Sequence, residues 1–300
     1  MPVIADGWRG EGTVLFGGSG FVGTAILRQF PEMISAGRRA PAAPNRHVAV
    51  QDLGELAALH GVSFDRVICC AGTSRHVELM EQPMEAALAA HLVPSVRALE
   101  QLRERRLRSF VRLSTVLLYD ETRAPMPVEE VSPIDPYRNR YLMSQYLGEE
   151  ASRFYERYFP VTTVRLCNLF GPWPGERTDI IHEVVTQLRR DGRAWVRTRI
   201  PERDFVFVDD AARALAAAAL AERSGVFNLG SGEPVAIGRI ADCLSALSGC
   251  AVDSREEPVR GAERIWVNSA KLREATGWAP AHTLDEGLAK TWGAADAPRH

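Results

Sequence analysis

Lysine is almost missing from this chain. Only Lys271 and Lys290 occur among 36 basic residues, and the rest are arginine. The skew reads as coding bias rather than chemistry, and it makes a lysine-free functional position less surprising. Cysteine is sparse as well. Cys69, Cys70, Cys167, Cys243 and Cys250 contain no C-x-x-C pair, and Cys69-Cys70 sits in an apolar run where a free thiol behaves as a small hydrophobe. Neither a disulfide framework nor a metal site is expected. No apolar run approaches the roughly 18 residues of a membrane span, and no basic-then-apolar leader opens the chain. Charge of one sign is not in excess either: the net charge is −2, which gives no support for nucleic-acid binding. The expectation is a reduced, cytoplasmic protein with neither membrane nor nucleic acid as partner.

What is present is a chain of 300 residues, enough for one large α/β domain or two intimately joined ones. Strand and helix signals alternate through the first half, which argues for a parallel sheet. Strands are predicted at Thr13–Phe16, Met33–Ala36, His47–Val50, Arg66–Cys70, Ser109–Leu113 and Thr162–Leu166. Helices are predicted from Phe21 to about Phe30, over Met84–Arg106 with Pro94 kinking or splitting it, and over Tyr141–Tyr158 with Glu149 and Glu150 facing solvent. Further helices are placed at Thr178–Arg190, Asp209–Glu222 and Ile237–Ser248. The fold class is a doubly wound parallel sheet, with residues 1–167 and 203–229 as its nucleotide-binding part. Residues 168–202 and 230–300 form a smaller, interleaved C-terminal lobe for substrate.

Gly17-x-x-Gly20-x-x-Gly23 lies between the first strand and the first helix. Gly17 permits a tight turn, Gly20 lets the backbone approach a pyrophosphate, and Gly23 lets helix and strand pack closely. With Ser19, Phe21 and Val22 these residues make a phosphate cradle at a helix N-terminus. An acid that would bond a ribose 2′-hydroxyl belongs roughly 20 residues past the first glycine. That position is Gly37, followed by Arg38-Arg39. With no carboxylate to repel a 2′-phosphate and two guanidiniums to clamp one, the expected cofactor is NADP(H) rather than NAD(H). Asp52 and Leu53 are candidates for the adenine edge. Cys70, Ala71 and Gly72 are candidates for the floor under the cofactor ribose, and Leu166 is placed beside it.

Further motifs follow in order: Val111-Arg112-Leu113-Ser114-Thr115-Val116-Leu117-Leu118-Tyr119, Tyr141-x-x-Ser144-Gln145-x-x-Gly148-Glu149, and Arg165-Leu166-Cys167-Asn168-Leu169-Phe170-Gly171-Pro172. After them come Arg203-Asp204-Phe205-Val206-Phe207-Val208-Asp209-Asp210, Phe227-Asn228-Leu229-Gly230-Ser231-Gly232 and Thr276-Gly277-Trp278-x-Pro280. With the glycine turn, they make the chain resemble the extended short-chain dehydrogenase/reductases over essentially its whole length. That group holds the nucleotide-sugar epimerases, dehydratases and ketoreductases, and the resemblance implies a Rossmann fold and a homodimer.

The resemblance also implies site roles. Tyr141 would be the acid/base toward a substrate oxygen, with Thr115 sharing its hydrogen bond. Tyr137 competes for that role, but the Ser144 and Glu149 spacing fits only the Tyr141 register. Gln145 stands where the family has a lysine that bonds the nicotinamide ribose and lowers the tyrosine pKa. Glutamine can bond the ribose but brings no charge; Arg138 and Arg140 are candidates to compensate. His91, where the family often has asparagine, is read as a helix histidine with a local partner. Asn168, Arg203 and Arg260 fall at or near positions that grip a sugar-nucleotide diphosphate, with Arg255 and Arg264 as rivals to Arg260. The loop Trp173–Thr178 and the stretch Trp195–Pro201 are expected to line that pocket. The expected function is an NADP(H)-dependent reductase or epimerase of a sugar nucleotide, with keto-sugar reduction favoured because a protonated tyrosine donates more readily than it abstracts. The alternatives are a non-catalytic dinucleotide-binding homologue and a reductase of a non-nucleotide carbonyl compound.

Overall fold

A computed structural model describes residue 4 and residues 7–72, 76–173, 177–259 and 261–294, with no side-chain description for 76–78. Strand β1 (Thr13–Phe16) turns into helix α1 (Phe21–Gln29), followed by β2 (Ile34–Gly37) and β3 (His47–Ala49). Then come β4 (Arg66–Cys69), α2 (His76–Glu81), α3 (Met84–Leu102), β5 (Ser109–Thr115), α4 (Arg140–Phe154) and β6 (Val161–Leu166). The remainder runs β7 (Asn168–Phe170), α5 (Ile180–Asp191), β8 (Arg193–Val196), β9 (Glu202–Phe207), α6 (Val208–Ala221) and β10 (Gly225–Leu229). It ends with β11 (Pro234–Ala236), α7 (Ile237–Ser248), β12 (Ala251–Ser254), β13 (Arg264–Ile265), α8 (Ala270–Thr276) and α9 (Leu284–Ala294).

Seven strands form one parallel sheet in the order β10-β6-β5-β4-β1-β2-β3. Every residue of β1 and β4 is buried, as expected for central strands covered on both faces. Alternation splits the core in two. Leu15, Ile68, Val111 and Val164 pack with α1 and α6, whereas Val14, Phe16, Val67 and Phe110 pack with Ala98, Leu99 and Leu102 of α3. The expected doubly wound architecture is therefore present. The chain builds β1, β2 and β3 outward, then returns to lay β4 on the other side of β1. Beyond the carboxyl ends of that β1/β4 switch lies the crevice where open α/β sheets bind ligands. A smaller sheet joins β11, β9 and β13, with β7 also paired to β9, and β8 pairs with β12. Helices α5, α7 and α9 contribute to a third hydrophobic cluster around Phe170, Phe205 and Phe207.

Three local expectations are corrected. Pro94 does not split its helix: α3 runs unbroken through it, and the Ser95 hydroxyl bonds the His91 carbonyl. The long fourth helix ends at Phe154, and Tyr155–Arg157 continues as a tighter single turn. Glu149 does not face solvent. It shares the buried face of α4 with Tyr141, Gln145, Gly148 and Ser152, and it receives Arg165 through two bonds of 3.0 and 2.7 Å plus the Ser114 hydroxyl. Glu150 is exposed, as expected.

Candidate active site

The turn after β1 is shaped by its glycines. Gly17 has φ of +84°, and a Cβ there would meet the Cys70 carbonyl carbon and oxygen at 2.7 Å. A Cβ on Gly23 would collide with the Gly17 carbonyl oxygen. Gly20, the N-cap of α1, is different: a Cβ there would have only one neighbour, at 3.4 Å, because that side of the turn is open. Among the described residues no side chain caps α1, and no acid occupies its first turn, so its leading N–H groups remain available to an anion. This cradle fits a dinucleotide pyrophosphate. Phe21 is buried behind it, with the Trp173 ring edge-on at 5.9 Å and the Arg177 guanidinium stacked at 3.7 Å. Arg177 is a cation that the sequence reading missed, and its Nε is paired with Asp179 at 2.5 Å.

Around this turn, Cys70, Ala71 and Gly72 follow the end of β4, and Arg38 and Arg39 are exposed just past β2. Leu53 is half-buried, packed against the core. Asp52 is tied to its own neighbourhood: one oxygen accepts from the Gly54 N–H at 2.7 Å and the other pairs with Arg97. Leu166 ends β6 directly opposite Thr115, the last residue of β5.

Tyr141 enters in the first turn of α4, which the Asn139 side chain caps by accepting the Leu142 N–H at 2.9 Å. It is 9% exposed, whereas Tyr137 on the preceding turn is 80% exposed. Thr115 and Gln145 are the polar side chains set against the Tyr141 phenol, and both favour its ionised form. Burial pushes that phenol above its ordinary value, against the lowering pull of Thr115, the Arg112 charge and Gln145. The proton therefore stays on Tyr141 at neutral pH.

Gln145 is buried and engaged inside the protein. Its Oε1 accepts from Arg112 Nη2 at 3.1 Å, and its Nε2 lies 3.1 Å from His91 Nδ1. His91 in turn sets its ring edge-on to Tyr141 at 5.4 Å between centroids. One partner of His91 is thus on another helix, α4. Neither Arg138 nor Arg140 supplies a charge here. Arg138 donates to the Leu117 and Tyr119 carbonyls and pairs with Glu121 at 3.1 Å, and Arg140 donates to the Met80 and Glu81 carbonyls. The cation in this neighbourhood is Arg112. The sequence signal for it is a charged residue inside the apolar run Phe110-Val111-Arg112-Leu113, on a strand expected to be buried.

On the substrate side, Asn168 is exposed and donates to the Asp204 carbonyl at 3.0 Å. Arg203 is half-buried and makes no ion pair with a described residue. It donates instead to the Ala262, Glu202 and Glu263 carbonyls at 2.8 to 3.3 Å. Arg260 lies outside the described residues, as do residues 174–176 of the expected pocket loop. The structure thus brings Thr115, Tyr141, Gln145, the glycine turn and the Cys70–Gly72 segment to one edge of the sheet.

Comparison with known proteins agrees with this geometry. The model of the NAD dependent epimerase/dehydratase family matches residues 13–230. The chain is 29% identical to a dTDP-6-deoxy-L-talose 4-dehydrogenase (NAD(P)(+)) of Kitasatospora kifunensis, over 93% of each chain. It is 24% identical to a UDP-glucose 4-epimerase of Corynebacterium glutamicum, over 89% of this chain and 90% of that one. Among solved structures, a UDP-glucose 4-epimerase with UDP-glucose from Thermotoga maritima superposes with a TM-score of 0.82 at 21% identity, covering 94% of this chain and 97% of that one. The chain belongs to the NAD dependent epimerase/dehydratase family, and so to the extended short-chain dehydrogenase/reductase enzymes.

Proposed function

We propose that the protein is an NADP(H)-dependent oxidoreductase of a sugar nucleotide that favours reduction of a keto sugar, with Tyr141 as proton donor and Thr115 as its hydrogen-bond partner. The observation that carries this reading is the buried Tyr141–Thr115 pair at the carboxyl edge of β5, beside the glycine turn. Bound nicotinamide dinucleotide supplies the hydride. Every other part of the work falls to this chain. The turn Gly17–Gly23, with Ser19, Phe21 and Val22, holds the pyrophosphate, and Arg38 and Arg39 hold the 2′-phosphate. Cys70, Ala71, Gly72 and Leu166 floor the site, and Asp52 and Leu53 stand at the adenine edge. Asn168, Arg203 and Arg260 orient the substrate diphosphate. Tyr141 donates its proton to the carbonyl oxygen, and Thr115 keeps the phenol aimed. A phenol raised by burial suits donation better than abstraction, which favours the reductive direction. The sugar-nucleotide substrate rests on the relatives, one an epimerase and one a dehydrogenase of such compounds by name.

The test is oxidation of NADPH, compared with NADH, against a panel of 4-keto sugar nucleotides. Turnover with NADPH is expected for at least one of them. NADPH binding without turnover on any member would instead favour a non-catalytic dinucleotide-binding protein.

A further inference from the structure

Arg112 sits at the centre of β5, paired in register with Cys69 of β4 and Thr163 of β6, and is 2% exposed. Its Nη2 bonds the Gln145 side chain and also lies 3.4 Å from the Gln145 carbonyl oxygen. Its Nε and Nη1 have no hydrogen-bond partner among the described residues. No carboxylate pairs with it among the described residues. The nearby anion, Glu149, is already held through two bonds by Arg165. Two buried guanidiniums therefore face one carboxylate, which leaves one uncompensated positive charge under α4. Room for it comes from Gly148, where any Cβ would collide with the Arg112 guanidinium. Such a charge is costly to bury.

The proton inventory shows how it is coupled to Tyr141. Arginine is a donor only, so the Gln145 oxygen must face it. That turns the Gln145 NH2 toward His91 Nδ1, which can accept only through a lone pair. His91 is therefore neutral and carries its proton on Nε2. Its Nδ1 also packs against Gly72, where a Cβ would come within 2.9 Å. One chain of contacts thus runs from Arg112 through Gln145 to His91, whose ring stands edge-on to Tyr141 and whose Nδ1 lies against the segment after β4.

Resting on the assignment of Tyr141 as the proton-transfer group, we propose that Arg112 is a positioning residue that supplies from β5 the buried positive charge for the Tyr141 phenol. Gln145 and His91 hold it in place, so that the three work as a unit instead of a cation on α4. The described titratable or charged groups facing this set are Cys69 from β4, His91 from α3, Arg112 from β5, Arg165 from β6, and Tyr141 and Glu149 from α4. Glu149 is neutralised by Arg165 and His91 is uncharged. Burial pushes the Cys69 thiol up, so it stays protonated. Arg112 is then the net charge that the phenol feels.

The test needs no substrate. The chain has six tyrosines, so the ring of Tyr141 can be followed by NMR with ζ-carbon-labelled tyrosine and assigned with Tyr141→Phe. Arg112→Met is expected to move the Tyr141 titration upward by about one pH unit or more, and Arg112→Lys to restore it to within about half a unit. An unmoved midpoint in folded Arg112→Met would overturn the proposal. A second arm covers the case where that variant does not fold. Gln145→Lys alone sets two buried cations side by side and removes the acceptor from Arg112, so it should lower the melting temperature. Arg112→Met/Gln145→Lys should melt above Gln145→Lys alone. If Gln145→Lys is neutral or stabilising, or the double variant melts below it, the proposal fails. Because turnover is not used, failure of the sugar-nucleotide assay would leave this result standing, and the reverse also holds.

Discussion

On the proposed mechanism, two side chains divide the task that the family resemblance assigns to one lysine at position 145. Gln145 supplies hydrogen bonds and Arg112 supplies charge, reaching it from a neighbouring strand. Since burial holds the Tyr141 pKa above its ordinary value of about 10, the phenol keeps its proton through neutral pH. The sign follows: reduction, which needs the protonated phenol, should have a flat rate across neutral pH and fall only above about 10, whereas oxidation should climb with pH. A kcat profile in both directions checks this, and a reductive rate already falling between pH 7 and 8 would contradict it. Thr115→Val should slow turnover by roughly 100-fold while leaving NADPH affinity unchanged, because it removes a bond made to the phenol and not to the nucleotide. Steady-state kinetics with a fluorescence titration of NADPH would separate the two.

At the scale of elements, β1, its turn and α1 could be read from sequence because each glycine answers one steric demand. Gly23 meets the Gly17 carbonyl and Gly17 meets Cys70. Gly23→Ala should therefore weaken NADPH binding and lower the melting temperature together. Replacing Arg38 and Arg39 by alanine should weaken NADPH far more than NADH, since both guanidiniums stand exposed past β2 and pair with no carboxylate among the described residues; equal losses would remove the 2′-phosphate assignment. The face of α4 was harder to read. Tyr141, Gln145 and Glu149 lie four residues apart on one buried stripe, but two adjacent glutamates at 149 and 150 look like a solvated face until Arg165 appears opposite the first. Glu149→Ala would strip the anion from two buried guanidiniums and should cost about 3–5 kcal/mol in urea unfolding.

For the whole molecule, alternation of strands and helices was enough to predict the parallel sheet, and the order of motifs was enough to suggest the family. The second layer was not legible in the same way. Strands such as β7, β11 and β13 are two or three residues long, too short for any periodicity to show, and they exist because β9 gives them an edge to pair with. The Arg112–Gln145–His91 set was hidden for a related reason: its members come from β5, α4 and α3 and meet only when the sheet and its covering helices are assembled. No helix among the described residues is long and apolar enough to cross a membrane. The most direct measurement is single-turnover hydride transfer from NADPH to a 4-keto sugar nucleotide, comparing the native protein with Tyr141→Phe. The native protein should oxidise NADPH, and Tyr141→Phe should be slower by roughly 100- to 10,000-fold with NADPH affinity unaltered. Equal rates in the two proteins would contradict the role given to Tyr141.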